Sequence, residues 1–263
     1  MMKYIVIDPV MLDLGFVQIH WYGFMYLLAF TSVYLLANVR LKTNTGWTRK
    51  QVEDLIFYGA LGAVLGGRLG YLIFYSTSSF VVNPLIFFDF QGGGMSFHGG
   101  FVGVLIAAII FNRKTQKTFF ETMDFVAPLV PLGLAFGRIG NYINAELWGN
   151  VTTSVFGVYG PDQSGEWAVR HPSQLYEGFL EGIVLFAVLW IYTKKPRPVM
   201  ATSAIFLTLY GLFRFIIEFV RVPDIHLGYL AFGWLTMGQL LSLPMIVIGV
   251  YLFYKANNLN KSL

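Results

Sequence analysis

Seven apolar runs, separated by short polar or glycine-rich breaks, set the pattern of this chain. They cover about residues 21–39, 53–75, 97–112, 122–140, 174–192, 201–220 and 233–254. A helix crosses the hydrocarbon core with about 20 mostly apolar residues. Each run therefore predicts a membrane-spanning helix, the third being the shortest. The breaks suit that reading. Residues 40–51 are polar, residues 76–94 are rich in Ser and Gly, residues 112–117 are basic, and Lys194-Lys195-Pro196-Arg197-Pro198 is a basic proline turn. The predicted fold class is all-α: a polytopic membrane protein of seven transmembrane helices, one integral membrane domain over residues 1–263. Residues 141–173 hold Gly, Asn, Asp and Trp in place of an apolar run and are expected to form a small cap outside the membrane. Asp8, Pro9 and Asp13 interrupt the first twenty residues, so no cleavable signal peptide is expected.

Lysine and arginine mark the cytoplasmic side of a membrane protein. Arg40, Lys42, Arg49 and Lys50, then Arg113, Lys114 and Lys117, then Lys194, Lys195 and Arg197, then Lys255 and Lys261, all fall on one set of connections. The opposite set holds only Lys3, Arg170 and Arg221. The N-terminus is thus expected outside and the C-terminus in the cytoplasm.

Composition agrees. Hydrophobic residues make up 56% and charged residues 12% of the 263, and mean hydropathy is +0.62. Soluble domains carry roughly 25% charged residues, so a soluble globule and a disordered chain are excluded. The net charge of +4 is explained by basic cytoplasmic loops, and no nucleic-acid partner is expected. There is no cysteine, which removes a Cys nucleophile, a thiolate metal site and a disulfide scaffold. His20, His98, His171 and His226 show no His-x3-His spacing, so no metal is expected. Nothing calls for an organic cofactor, and no Gly-x-Ser-x-Gly elbow occurs.

Charges inside a membrane are costly and usually functional. On the predicted topology Arg68, His98, Arg138, Glu146, Glu177, Glu181, Arg214 and Glu218 all gather towards the outer leaflet, and Asp124 is the exception. Snorkelling into headgroups explains any one of them; a polar chamber facing the outer leaflet explains the set. Tyr210, Arg214 and Glu218 stand at i, i+4 and i+8 on one helical face. Arg214 either neutralises Glu218 or binds a lipid phosphate with Glu218 orienting it, as the planar guanidinium suits phosphate. His98 lies within Gly92–Gly100, a glycine-rich turn at a helix start. It is either a structural hydrogen-bonding residue or a group that exchanges a proton near neutral pH. In the second run the Gly62-x3-Gly66-x3-Gly70 spacing predicts a close helix–helix contact. Arg138 and Asn141 share a face if the fourth helix persists that far.

The densest polar block is Gly137-Arg138-Ile139-Gly140-Asn141-Tyr142-Ile143-Asn144-Ala145-Glu146-Leu147-Trp148-Gly149. It resembles the signature of the bacterial prolipoprotein diacylglyceryl transferase family, with Tyr142 where Phe is usual and Ala145 where Gly is common. Asp8-Pro9-Val10, Trp21-Tyr22-Gly23, Gly67-Arg68-Leu69-Gly70, Ser96-Phe97-His98-Gly99-Gly100, His171–Glu177 and Tyr210–Phe215 with Glu218 agree with the same family, so the resemblance spans almost the whole chain. It implies transfer of a diacylglyceryl group from phosphatidylglycerol to the lipobox cysteine of a preprolipoprotein. The products are a thioether and glycerol phosphate. It also implies seven spans and a site at the outer leaflet of the bacterial cytoplasmic membrane. The resemblance offers His98 as proton acceptor for the substrate thiol. Arg138 and Arg214 would stabilise the phosphate leaving group. Tyr22, Asn141, Tyr210 and Glu146 would orient headgroup or arginine, Gly149 would permit close approach, and Arg68 and Glu218 would complete the lipid site. Glu177 is expected to pair with Arg68 or Arg170.

Two rival readings stand beside the enzyme. A lipid transporter would also need a charged cavity, although the inner half lacks charges and no inverted repeat is evident. A scaffold for secreted precursors would need the aromatic cap but not the in-span arginines. Product formation separates both from the enzyme.

Overall fold

The computed structural model describes residues 2–15, 17–42, 46–89, 93–162, 164–223 and 228–259. Gly92, His226 and Lys261 lie outside the described residues. The chain runs through β1 (Met2–Lys3), β2 (Val10–Asp13), β3 (Gln18–His20), α1 (Trp21–Leu41), α2 (Arg49–Tyr75) and α3 (Thr77–Val82). A 3-10 turn at Pro84–Phe88 follows, then α4 (Phe97–Thr115), α5 (Phe119–Val126), α6 (Val130–Ile143), β4 (Val158–Pro161), β5 (Trp167–Arg170) and α7 (Ser173–Glu177). A π-helical stretch, Gly178–Val184, leads into α8 (Leu185–Tyr192), α9 (Ala201–Ile217) and α10 (Met237–Leu259).

All seven apolar runs are helical. Among the described residues four helices are long and apolar enough to cross a membrane: Trp21–Leu41, Arg49–Tyr75, Ser173–Tyr192 and Met237–Leu259. A fifth follows if α5 and α6, bent by 52° at a short break, act as one span. Pro128 lies in that break and Pro131 opens α6; proline lacks the N–H that would continue the helical ladder. α9 is apolar but short. The protein is thus a mostly helical, polytopic membrane protein.

The chain divides into two compact units, Tyr34–Thr122 and Met1–Val33 with Met123–Leu263. In the first, the expected glycine contact forms between α2 and α4. A Cβ on Gly70 would lie 2.7 Å from Gly99 Cα, and one on Gly62 would lie 2.9 Å from Ala107 Cβ. Only hydrogen fits between the two backbones, so dispersion contacts and close approach hold this pair in lipid. Ser96 caps α4, its hydroxyl accepting from the Gly99 N–H at 3.2 Å, and its own N–H donates to Gly67 O at 2.9 Å.

The larger unit carries the polar residues of the cap. Here the all-α expectation needs correcting. β1, β4 and β5 form a three-stranded sheet in that order, β1 parallel to β4 and β4 antiparallel to β5, with Val158 opposite Arg170 and Pro161 opposite Trp167. β2 and β3 make a separate hairpin. The first strand therefore pairs into the 141–173 segment. Tyr4 anchors it: its ring packs edge-on to Tyr142 at 5.3 Å and Trp148 at 5.4 Å, and its hydroxyl donates to Ile143 O at 2.8 Å. Burying an aromatic ring against others stabilises by area plus about 0.5–1.5 kcal/mol per oriented pair. Two residues are too few to read as a strand from sequence, and this one exists because β4 offers it a free edge.

Asp124, the inner-half exception, has a structural task in the same unit. Its carboxylate accepts from the backbone N–H groups of Met200 at 2.6 Å and Ser203 at 2.7 Å, and from the Ser203 hydroxyl at 2.6 Å. These are orphan donors of the first turn of α9, so Asp124 caps a distant helix and meets its positive end.

Candidate functional site

Four elements of the larger unit bring arginine and glutamate together. Arg138 projects from the last turns of α6, and its Nε lies 2.6 Å from Glu177 Oε2 on α7. The other oxygen of Glu177 is shared: Arg214 Nη1 stands 3.1 Å away and Arg221 Nη1 3.0 Å away. Arg214 also holds Glu218 at 2.5 Å, and Arg221 Nε approaches the same oxygen at 3.8 Å. Glu218 receives the Thr236 hydroxyl at 2.5 Å. Thr236 in turn caps α10, with reciprocal bonds to Gln239 of 2.9 and 3.1 Å. A Cβ on Gly238 would lie 2.5 Å from the Glu218 carboxyl carbon, so that glycine makes the space for it.

Three guanidinium groups thus face three carboxylates, Glu177, Glu181 and Glu218, all buried. Isolated ions at this depth would be severely destabilised; mutual pairing is what lets them remain there. The π-helical stretch helps. A Cβ on Gly178 would lie 3.3 Å from Arg138 Cβ, and one on Gly182 would lie 2.5 Å from Ala135 Cβ. These glycines let α6 close onto the stretch that carries Glu181.

A second polar chain leaves Arg138 towards the cap. Arg138 Nη1 donates to Asn141 Oδ1 at 3.4 Å, and Asn141 Nδ2 donates to Glu146 Oε2 at 2.9 Å. Asn144 reaches the other Glu146 oxygen at 3.3 Å. The shared face of Arg138 and Asn141 is as the spacing predicts. The loop after α6 is tied to α7 by Ser173 Oγ to Leu147 O at 2.6 Å and Gln174 Nε2 to Glu146 O at 3.0 Å. Gly149 donates to His171 O at 2.8 Å, and a Cβ there would lie 2.9 Å from His171 Cβ. A side chain at Gly149 would have no room between His171 and Val220. Burial lowers His171 below the ordinary imidazole value, which keeps it neutral near pH 7, with Nδ1 3.2 Å from the Tyr176 hydroxyl.

Tyr22 packs on Gly140, where a Cβ would lie 2.8 Å from its ring, and within electrostatic reach of Glu146 and Arg138. Tyr210 stacks on Phe206 at 5.8 Å, within reach of Glu181, Arg214 and Arg138. An apolar groove of about 220 Å³ runs past Arg138, walled by Ala135, Ile139, Leu175, Phe179 and Ile183. The Arg138 side chain is 21% exposed.

Tyr22, Arg138, Asn141, Glu146, Gly149, Tyr210, Arg214 and Glu218 all belong to this unit. His98 and Arg68 belong to the other. His98 is exposed in the first turn of α4, with the Phe97 ring edge-on at 5.7 Å. Arg68 is buried and donates to four backbone carbonyls: Ile86 at 2.5 Å, Phe87 and Gly94 at 3.2 Å each, and Gly93. It ties down the chain that leads into α4.

One expectation is corrected. Glu177 does not pair with Arg170, which turns to Asp162 at 2.7 Å; it is the hub of Arg138, Arg214 and Arg221. Sequence reasoning counted Arg221 only among the connecting charges and missed its place in the lattice. The signal available was its spacing, three residues after Glu218 and seven after Arg214, although α9 ends at Ile217 and Arg221 lies beyond it. Arg214 pairs with Glu218, the first of its two alternatives, and with Glu177 as well.

An arginine–glutamate lattice held among apolar helices, with an apolar groove alongside Arg138, marks a polytopic membrane protein that keeps paired ions in its interior. Residues 9–255 match the family described as prolipoprotein diacylglyceryl transferase, and the chain belongs to that family. A protein of Pseudomonas entomophila (strain L48), named phosphatidylglycerol--prolipoprotein diacylglyceryl transferase, is 54% identical over 260 residues, 98% of this chain and 97% of that protein. A protein of the same name from Pseudomonas savastanoi pv. phaseolicola (strain 1448A / Race 6) is 55% identical over 258 residues, 97% of this chain and 96% of its own. One from Pseudomonas fluorescens (strain Pf0-1) is 52% identical over 258 residues, 97% and 95%.

Proposed function

We propose that this chain transfers the diacylglyceryl group of phosphatidylglycerol to the thiol of the lipobox cysteine in a preprolipoprotein, the first step of bacterial lipoprotein maturation. The observation that carries this reading is Arg138, a partly exposed guanidinium fixed by Glu177 beside an apolar groove, in a chain of that family. The thiolate sulfur attacks the glycerol carbon. A carbon–sulfur bond forms, the carbon–oxygen bond to phosphate breaks, and glycerol phosphate leaves carrying one more negative charge than the diester had. The thiol proton passes to a base, for which His98 is the candidate. Arg138 meets the phosphate, as its Nε is engaged by Glu177, its Nη1 by Asn141, and its Nη2 stands 3.9 Å from Glu181. Arg214 supports it through Glu177 and Glu218. Asn141 and Glu146 orient Arg138, Tyr22 and Tyr210 shape the headgroup site, and Gly149 keeps the cap closed down. Arg68 acts by positioning the segment that carries His98.

The same reading makes the chain one integral membrane domain of seven spans, with the N-terminus outside, the C-terminus cytoplasmic, and residues 141–173 as the outer cap. The one-sided distribution of Lys and Arg supports that orientation. It places the chemistry near the outer leaflet of the bacterial cytoplasmic membrane. The test mixes purified protein with phosphatidylglycerol and a lipobox peptide and follows peptide mass and glycerol phosphate release. A diacylglyceryl thioether, absent with a Cys→Ser peptide and sharply reduced by Arg138→Ala, supports the reading. No product from folded protein that still binds phosphatidylglycerol overturns it.

A further inference from the structure

Glu181 stands apart from the other acids of the lattice. It is fully buried. Neither of its oxygens accepts a hydrogen bond, and the cation nearest to it in the ion-pair network, Arg138 Nη2, is 3.9 Å away. Glu177 takes the short contacts to three arginines, and Glu218 takes Arg214 and Thr236. Five titratable side chains act on Glu181 from the elements packed around it: Arg138 on α6, Glu177 on α7, Arg214 and Tyr210 on α9, and Arg221 just after α9.

Charge arithmetic gives this odd carboxyl a task. With all six groups ionised, three arginines and three glutamates sum to zero. A lattice that sums to zero offers a phosphodiester no net charge, and an ionised Glu181 would compete for Arg138 Nη2, 3.9 Å from its oxygen. A neutral Glu181 leaves the lattice with one net positive charge, the complement of one phosphodiester anion. A protonated carboxyl also tolerates a site without donors far better than a carboxylate does.

We propose that Glu181 is a positioning residue that takes up a proton when the lattice binds an anionic phosphodiester headgroup, so that lipid and proton bind together. This rests on the headgroup site proposed above. The protonated acid stops competing for Arg138, and Nη2 turns to phosphate. Above the pH at which free Glu181 loses its proton, headgroup affinity falls by up to about tenfold per pH unit, the slope for one linked proton. Below that pH the affinity levels off.

Calorimetric binding of short-chain phosphatidylglycerol to the whole protein in detergent, repeated in buffers of different ionisation enthalpy, reads the proton inventory directly. Wild type is expected to take up close to one proton per lipid at the alkaline end. Glu181→Gln, which holds the neutral shape permanently, is expected to take up none and to bind with an affinity independent of pH. Wild type that binds with no proton exchange at any pH overturns the coupling alone, as does Glu181→Gln with the wild-type inventory. Folded wild type that binds no phosphatidylglycerol at any pH overturns the headgroup site and the coupling together. If Glu181→Gln does not fold, the infrared carbonyl signal of a protonated carboxyl decides in wild type: growth on lipid binding at alkaline pH supports the coupling, and no change overturns it.

Discussion

Arg138 and Glu177 meet at 2.6 Å between α6 and α7, and the second oxygen of the same glutamate holds Arg214 and Arg221 at 3.1 and 3.0 Å. One carboxylate thus sets the position of three guanidinium groups. Glu177→Gln removes the charge and leaves three cations around a buried site under-compensated. Breaking a buried pair costs about 3–5 kcal/mol. We expect a lower unfolding temperature in detergent and loss of diacylglyceryl transfer. A Glu177→Gln protein with wild-type unfolding and wild-type turnover would show that the hub is dispensable.

Arg138→Lys keeps the charge but has a single ammonium in place of the planar fork. It cannot reach Glu177, Asn141 and a phosphate oxygen at once. Turnover is expected to fall by about 10²–10³-fold, the usual effect of losing one donor to a developing oxyanion, with thermal stability nearer to wild type than for Glu177→Gln. Comparing kcat with unfolding temperature for the two variants checks this. Equal kcat for Arg138→Lys and wild type would remove the fork from the mechanism.

Asp124→Asn tests a part of the fold remote from that lattice. The amide still accepts from the first turn of α9 but loses the charge that favours it. Removing a helix cap costs about 0.5–2 kcal/mol. The expected outcome is a modest fall in unfolding temperature with unchanged turnover per folded molecule. A selective loss of turnover would tie Asp124 to the chemistry.

Gly66 and Gly59 lie on the same helix with opposite surroundings. A Cβ on Gly66 would lie 2.8 Å from Gly103 Cα, whereas one on Gly59 would meet nothing within 4 Å. Gly66→Ala is expected to destabilise by about 1–3 kcal/mol through overpacking, and Gly59→Ala to be neutral or slightly stabilising. Thermal unfolding of both variants in one detergent decides, and equal effects would argue against the tight α2–α4 contact.

Asp162 gives the cap a dependence on pH. The Ser164 hydroxyl, the Glu166 N–H, the Ser164 N–H and Arg170 hold its carboxyl below the ordinary carboxylate range. A depressed folded value means that the folded cap binds fewer protons than the unfolded segment, so stability rises with pH there. The contribution is complete above about pH 4, the ordinary value, and is lost as pH falls through the folded value. Amide exchange in β4 and β5 should quicken at acid pH in wild type beyond its intrinsic pH dependence. Asp162→Asn should remove that extra dependence.

Local chemistry was legible from the residues in order. All seven apolar runs became helices, because apolar length is a property of consecutive residues. The Gly62–Gly66–Gly70 face, the Arg138–Asn141 step and the Arg214–Glu218 pair followed from the helical repeat, which links i to i+3 and i+4. Distance along the chain is where that reasoning stopped. Glu177 meets Arg214 and Arg221 across 37 and 44 residues, and the lattice sets it beside Arg138 rather than beside Arg170, only seven positions away. β1 joins β4 across more than 150 residues. No periodicity selects such partners.

By itself, then, the sequence determined which segments suit lipid, which side chains share a helical face, and which family the chain resembles. The tertiary structure alone decided which carboxylate each arginine takes, that the N-terminal strand pairs with β4, and that Glu181 is left without a hydrogen bond. The physical reason is the cost of burying charge. In a low-dielectric interior each ion must find its counter-ion among groups that packing brings within about 4 Å, and glycines such as Gly182 and Gly238 determine which backbones can come that close.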